Sequence, residues 1–298
     1  RRDSLRREDE GREATAFYEA NRIAMDDGFE VSWNQRFVKG ELSAQQHAMN
    51  LRLDNGDAAF FSEYNNDPLE VDNDIFKLTI DQICSKVNMR PRGSIPLSCQ
   101  KLVSFIDVQQ EALFWVVMAV EPGFTCYVVD YGTFPDQQRR NFARRDLPHT
   151  FTDKYPSMGG EARIHAGLDE FTKILLPKEW KRDDGASMKI DRCLIDANWG
   201  KMSRTIYNFC RMCQFSVVMP SHGKYIGAAT TPMGHWRRKE GTAVGDNWIV
   251  DGATKNRFLR HIVFDTNHWK TFLAARLTTS IGDPGCLSFF GSTPGEHH

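Results

Sequence analysis

Apolar positions recur at helical spacing early in the chain and give way to strand-like runs later. Residues 3–27 carry Ala14, Phe17, Tyr18 and Ala24 among many charges, which predicts a mostly polar helix with a narrow apolar stripe. A second helical region is expected over 43–65. Ser43 suits its N-cap, Phe60 and Phe61 lie within it, and Asn65-Asn66-Asp67-Pro68 stops it. A third helix is expected over 74–87, with Ile75, Leu78, Ile80, Ile83 and Val87 on or near one face; Arg90-Pro91-Arg92-Gly93 ends it. Residues 1–95 therefore read as a helical lead-in.

Beyond that point the pattern changes. Residues 102–108 form an apolar run interrupted by one acid, Asp107, and 113–120 form a second. Glu121-Pro122-Gly123 turns the chain into a third strand, 125–129, ending at Asp130-Tyr131-Gly132. A charged stretch, 136–146, precedes an amphipathic helix over 162–175. A fourth strand over 192–195 ends in Asp196. It is followed by a helix over 203–212, with Ile206, Phe209 and Cys210 inward, and a fifth strand over 215–219. A ribbon of 247–251 and 257–264 ends at Asp265, and 269–277 closes the chain as a helix. The long helical crossover permits parallel pairing of the fourth strand with the first, and right-handed connection is the rule. The expected architecture is α/β: a mixed sheet flanked by helices, the ribonuclease H-like layout, occupying 96–298 behind the lead-in.

Composition narrows the class. With 298 residues, 41% hydrophobic and 26% charged, the chain is ordinary globular material and long enough for a large core. No run approaches the ~20 apolar residues that span a bilayer, and the charged residues 1–12 lack a signal-peptide core. A soluble intracellular protein without a membrane partner is expected. The seven cysteines are an odd number in mostly apolar settings, which suits free thiols in a reducing compartment. Cys210 and Cys213 form a CxxC, but a zinc site normally needs a second pair. Net charge is −1, so the total does not advertise a nucleic-acid binder. The basic residues are clustered nonetheless: Arg139, Arg140, Arg144 and Arg145; Arg237, Arg238 and Lys239; Arg90 and Arg92. Such clusters either hold phosphates or form solvated faces.

The chemistry concentrates at strand ends. Phe105-Ile106-Asp107, Leu194-Ile195-Asp196 and Val263-Phe264-Asp265 each set an aspartate after an apolar run. An acid at the edge of a buried strand is costly unless it is paired, hydrogen-bonded or metal-bound. Neighbouring strands lie about 4.8 Å apart, so carboxylates from the first and fourth strands can converge. Converging carboxylates suit hard divalent cations, and two such ions support phosphodiester hydrolysis. The same positions also suit turns and helix caps; Asp265, before Thr266-Asn267, is placed to start the last helix. Asp130 and Glu121, at hairpin ends, are rivals for the cluster. His222-Gly223-Lys224 follows the fifth strand as a basic loop able to hold a phosphate. Trp236-Arg237-Arg238-Lys239 reads as a DNA-contacting flap or as a tryptophan packing its own loop, and Lys270 is placed to reach the site from the last helix.

Blocks in this order resemble a known family. Phe105-Ile106-Asp107-Val108-Gln109, Tyr127-Val128-Val129-Asp130-Tyr131-Gly132, Leu194-Ile195-Asp196-Ala197-Asn198-Trp199-Gly200, Tyr207-Asn208-Phe209-Cys210-Arg211, Met219-Pro220-Ser221-His222-Gly223-Lys224 and Asp265-Thr266-Asn267-His268-Trp269-Lys270 are similar to stretches of the large terminase subunits of lambda-like tailed phages. Phe60-Phe61-Ser62-Glu63-Tyr64-Asn65-Asn66-Asp67-Pro68 resembles the segment that joins motor to nuclease there, and the likeness spans roughly 40–295. The resemblance implies a metal-dependent endonuclease of ribonuclease H-like fold that cuts concatemeric double-stranded DNA with Mg²⁺ or Mn²⁺. It implies Asp107 and Asp196 as metal ligands, with Asp265 as the third acid. It further implies work beside the small terminase subunit and the capsid portal, in the host-cell cytoplasm. One departure is that GxxxxGK[ST] is absent, so no ATPase activity is expected from these residues, and the chain reads as a piece of a longer one. A junction resolvase or transposase-type nuclease on the same fold, or a non-catalytic module docked on motor or portal, are the competing readings.

Overall fold

The computed structural model describes residues 11–55, 60, 78–139, 142–227, 230–236, 242–252 and 259–293. The chain divides into two compact units, 1–73 with 226–237, and 74–225 with 238–298. Residues 78–95 thus group with the sheet.

The first unit contains the helices α1 (Arg12–Ala20), α2 (Arg22–Asp26) and α3 (Ala44–Asn55). Helix formation follows the expected polar, weakly amphipathic pattern. Ser43 caps α3 as anticipated, its Oγ accepting from the Gln46 N–H at 3.1 Å. Tyr18 Oη of α1 donates to Asp26 of α2 at 2.7 Å, and Asn50 of α3 donates to Glu41 in the segment before that helix at 2.8 Å.

In the second unit, a capping box at Thr79 starts α4 (Ile80–Cys84), its hydroxyl accepting from the Gln82 N–H while the Gln82 side chain accepts from the Thr79 N–H. The strands that follow are β1 (Ser94–Ile95), β2 (Lys101–Val108), β3 (Leu113–Val120) and β4 (Cys126–Phe134). Next come α5 (Phe151–Lys154), α6 (Gly160–Leu175), β5 (Trp180–Arg182), β6 (Ser187–Met188), β7 (Arg192–Asp196), α7 (Ser203–Met212) and β8 (Val218–Lys224). The remainder is β9 (Val244–Gly245), β10 (Trp248–Asp251), β11 (His261–Asp265), α8 (Thr266–Thr278) and β12 (Leu287–Phe289).

Nine strands form one mixed sheet in the order β12-β4-β3-β2-β7-β8-β11-β10-β9. Strands β2, β3 and β4 are the expected antiparallel meander, and β7 returns parallel to β2 after the helical crossover. Strand β8 then pairs parallel with both β7 and β11. This is the mixed α/β, ribonuclease H-like layout read from the sequence.

Alternation along the strands separates two faces. One face carries Leu102, Ile106, Val117, Cys193 and Ile195, packed with Ile164, Leu168 and Phe171 of α6 and Ile206 and Phe209 of α7 in the main core. The other face carries Val116, Met118, Cys126 and Val128 with Leu277 of α8 and Leu287 of β12. All seven cysteines are free thiols, and only Cys213 is not buried. Among the described residues no helix is long and apolar enough to cross a membrane.

Several expected boundaries are corrected. Among the described residues, the helix expected over 3–27 is divided at Asn21, and the one expected over 74–87 is the short α4. Strand β4 does not stop before Asp130 but runs through it to Phe134. The buried Asp130 carboxylate is neutralised inside the sheet by Arg92 Nε at 2.6 Å and Lys178 Nζ at 3.2 Å, partners distant in sequence. Strand β8 lies later than 215–219, because pairing on both sides carries it through the polar residues His222 and Lys224.

Candidate metal and nucleic-acid site

Strands β2 and β7 both point their C-terminal ends to the same edge of the sheet, and each ends its apolar run with an acid. The last registered pair is Ile106 with Ile195, so Asp107 and Asp196 follow as neighbours on adjacent parallel strands, about 4.8 Å apart in strand spacing. Ile106 and Ile195 point into the main core, so alternation turns both aspartates to the opposite face. Both are partly exposed.

Each carboxylate is held by its own loop. Gln109 Nε2 lies 2.8 Å from both oxygens of Asp107, placing a donor where a cation would sit. The Asn198 N–H donates to Asp196 Oδ1 at 3.0 Å, and Asn198 Nδ2 reaches the Gly223 carbonyl of β8 at 3.0 Å. Burial lifts the Asp196 carboxyl above its ordinary range; the Asn198 N–H opposes the lift and the nearby charge of Asp107 adds to it. That mutual repulsion is the electrostatic complement of a divalent cation. Two neighbouring carboxylates are a donor set of the kind that hard divalent cations use, so the residues fit the ion expected.

Asp265 stands apart from this pair. In the register, Asp196 is level with Ser221, Ser221 is level with Ile262, and Asp265 is level with Lys224. Asp265 is thus two strands away and three residues further on, roughly 10 Å in each direction. It shares its pleat with Val263, the partner of His222, and so belongs to the other face of the sheet. Its carboxylate caps α8, accepting from the N–H groups of Asn267 at 2.8 Å and His268 at 3.3 Å. Among the described residues no group of three or more His, Cys, Asp or Glu side chains is arranged to hold a metal ion. Of the rival acids, Asp130 is the ion-paired residue within β4, and Glu121 accepts from Tyr127 Oη at 2.9 Å beyond the other end of β3.

The basic residues divide similarly. Lys224 and Lys270 are exposed at the C-terminal end of β8 and in the first turns of α8, the end of the sheet that carries the two aspartates; Lys224, three residues beyond the Asp196 partner Ser221, is on the pleat of Asp265. His222 is not in a loop. It is a buried strand residue, bonded through Nε2 to Tyr207 Oη at 2.8 Å and ring-stacked on Tyr207, with His261 packed edge-on. Trp236 donates from its indole to Thr231 O at 2.8 Å, within its own loop. Arg237, Arg238 and Lys239 lie outside the described residues. Gln109 and Asn198, which hold the two acids, escaped the sequence reading. Their signal was position alone, each two residues beyond an aspartate at a strand end.

Comparison with known proteins identifies a family. The family model described as terminase large subunit gpA, endonuclease domain, matches residues 55–298. Searches of the curated proteins and of the solved structures returned no match.

Proposed function

This chain belongs to the terminase large subunit gpA endonuclease-domain family, and on that footing we propose that Asp107 and Asp196 bind Mg²⁺ or Mn²⁺ for hydrolysis of double-stranded DNA. The observation that carries the reading is the register placing these two acids side by side, on one face, at the C-terminal ends of two parallel strands. Divalent ions there, two in the fullest form of the proposal, would polarise the scissile phosphodiester and acidify an attacking water.

The protein's own groups do the remaining work. Asn198 fixes the Asp196 carboxylate, the Gln109 amide that bridges the two Asp107 oxygens would give way to the cation, and two neighbouring acids attract that cation more strongly than one. Lys224 and Lys270 provide positive charge at the same edge for backbone phosphates. Asp265, expected as a third acid, stays outside this assignment because its carboxylate is engaged in the α8 cap. In the packaging machine the proposed substrate is concatemeric viral DNA, with the small terminase subunit and the portal as neighbours.

Nicking of supercoiled plasmid in Mn²⁺ tests the proposal. The wild-type chain converts plasmid to open-circular and linear forms, and Asp107→Asn does not. Equal nicking by the folded Asp107→Asn variant would remove Asp107 from the chemistry.

A further inference from the structure

The same edge of the sheet carries a second basic element. Strand β4 ends at Phe134, which is registered with Leu113, itself registered with Val108 of β2. The loop that follows β4 therefore leaves the sheet at the same end as Asp107, two strands away. Its base is closed by Gln137, 1% exposed, which donates to Pro135 O at 2.7 Å and His149 O at 2.8 Å and accepts from the His149 N–H at 3.0 Å. Its exit is tied to the turn between β2 and β3: the Phe151 N–H donates to Glu111 O at 2.8 Å, and Thr152 Oγ1 donates to the Glu111 carboxylate at 2.8 Å. Its middle rests on Phe142, whose ring lies 6.4 Å from Phe114, the cross-strand partner of Asp107.

Immediately after Phe142 the chain makes a tight reversal. Ala143 and Asp146 form an antiparallel bridge, the Asp146 N–H donating to Ala143 O at 2.8 Å. Arg144 and Arg145 are the two central residues of that turn. Both are exposed, as is Arg139 earlier in the loop. Of the neighbouring acids, Glu111 is engaged by Thr152, Asp136 accepts the Gln138 N–H at 2.9 Å, and Asp146 closes the turn and is exposed.

We propose that the Arg144-Arg145 turn is a phosphate-holding arm that grips the backbone of duplex DNA next to the Asp107–Asp196 pair. The inference rests on the nuclease reading and adds to it the place where the duplex is held. Two carboxylates repel a polyanion, so productive docking needs cations fixed nearby, and guanidinium groups match phosphate oxygens in a bidentate way. The pinned base and aromatic seat hold the arm at the acid edge of the sheet, unlike a lysine on an untethered surface. The contact is sequence-independent, because it is made to the sugar-phosphate backbone.

The test is binding of a fluorescent duplex, followed by anisotropy in EDTA over a range of salt concentrations. Arg144→Ala/Arg145→Ala is expected to bind about 10-fold more weakly and to lower the slope of log affinity against log salt by about 2, one contact for each side chain. Lys101→Ala/Lys189→Ala removes the same charge near the opposite ends of β2 and β7 and is expected to leave affinity and slope unchanged. Unchanged binding by the arginine variant, or an equal loss in the lysine variant, overturns the proposal. Plasmid nicking by the wild-type chain, run in parallel, reports on the nuclease reading separately.

Discussion

Asp107 and Asp196 are neighbours because Ile106 pairs with Ile195 one residue earlier on each strand. Eighty-eight residues of intervening chain are irrelevant to that proximity; the parallel register alone creates it. Substituting either acid by Asn keeps the shape and removes the charge. Each substitution is expected to abolish Mn²⁺-dependent nicking while leaving the circular-dichroism spectrum unchanged. A loss of secondary structure in both variants would mean the pair serves the fold instead.

The Asp265 cap gives a separate expectation. Asn is as good an N-cap as Asp, whereas Ala cannot accept the Asn267 and His268 N–H groups. Asp265→Ala is expected to lose roughly 0.5–2 kcal/mol in urea unfolding, and Asp265→Asn only a few tenths. Abolished nicking in a stable Asp265→Asn variant would place this acid in the metal site after all.

Gly167 in α6 marks a close approach. A Cβ added there would lie 2.5 Å from Cε1 and 2.6 Å from Cζ of the Phe151 ring, which is fully buried. Ala improves helix propensity by about 1 kcal/mol, but overpacking of a core typically costs about 1–3 kcal/mol. Gly167→Ala is therefore expected to lower the thermal midpoint, and pairing it with Phe151→Leu to recover part of the loss. A raised midpoint in the single variant would show that the ring moves freely.

The small sheet of β1, β5 and β6 carries a pH-dependent tie. The Arg90 guanidinium, bonded to Asp183, holds that carboxyl below its ordinary value against a smaller opposing effect of burial. A carboxyl with a depressed folded-state value stabilises the fold above its unfolded value, and the contribution is lost as pH falls through the folded one. Asp183→Asn should therefore be less stable than wild type at pH 7 and equal to it in strong acid. The pair is partly exposed, so the difference at neutral pH should stay within about 1 kcal/mol. Thermal melts of both proteins across acid pH measure it.

Much of the nuclease sheet was legible because its elements are long and regular. Strand β3 and helix α7 have the expected bounds, and β2 and β7 differ by a single residue at one end. The length of the crossover permitted the parallel return of β7 onto β2, which the structure shows. Elements of two to four residues, such as β1, β6, β9 and α5, are too short to show any period. Strand β8 was misplaced because Pro220, His222 and Gly223 are poor strand formers held in place by neighbours on both sides. Of the candidate site, the sequence shows two acids at strand ends, and the register makes them neighbours. The place of Asp265 depends on register across three strands, which no local pattern encodes. His222 looked like a loop residue because its partners, Tyr207 and His261, lie far off in sequence.

The most direct test of the central claim is a crystal structure of the protein soaked with Mn²⁺, with the anomalous peaks assigned to their ligands. The account predicts a peak coordinated by carboxylate oxygens of both Asp107 and Asp196, with the Gln109 amide turned away from its apo position. Manganese bound by neither aspartate, with the two carboxylates left as they stand without metal, would contradict it.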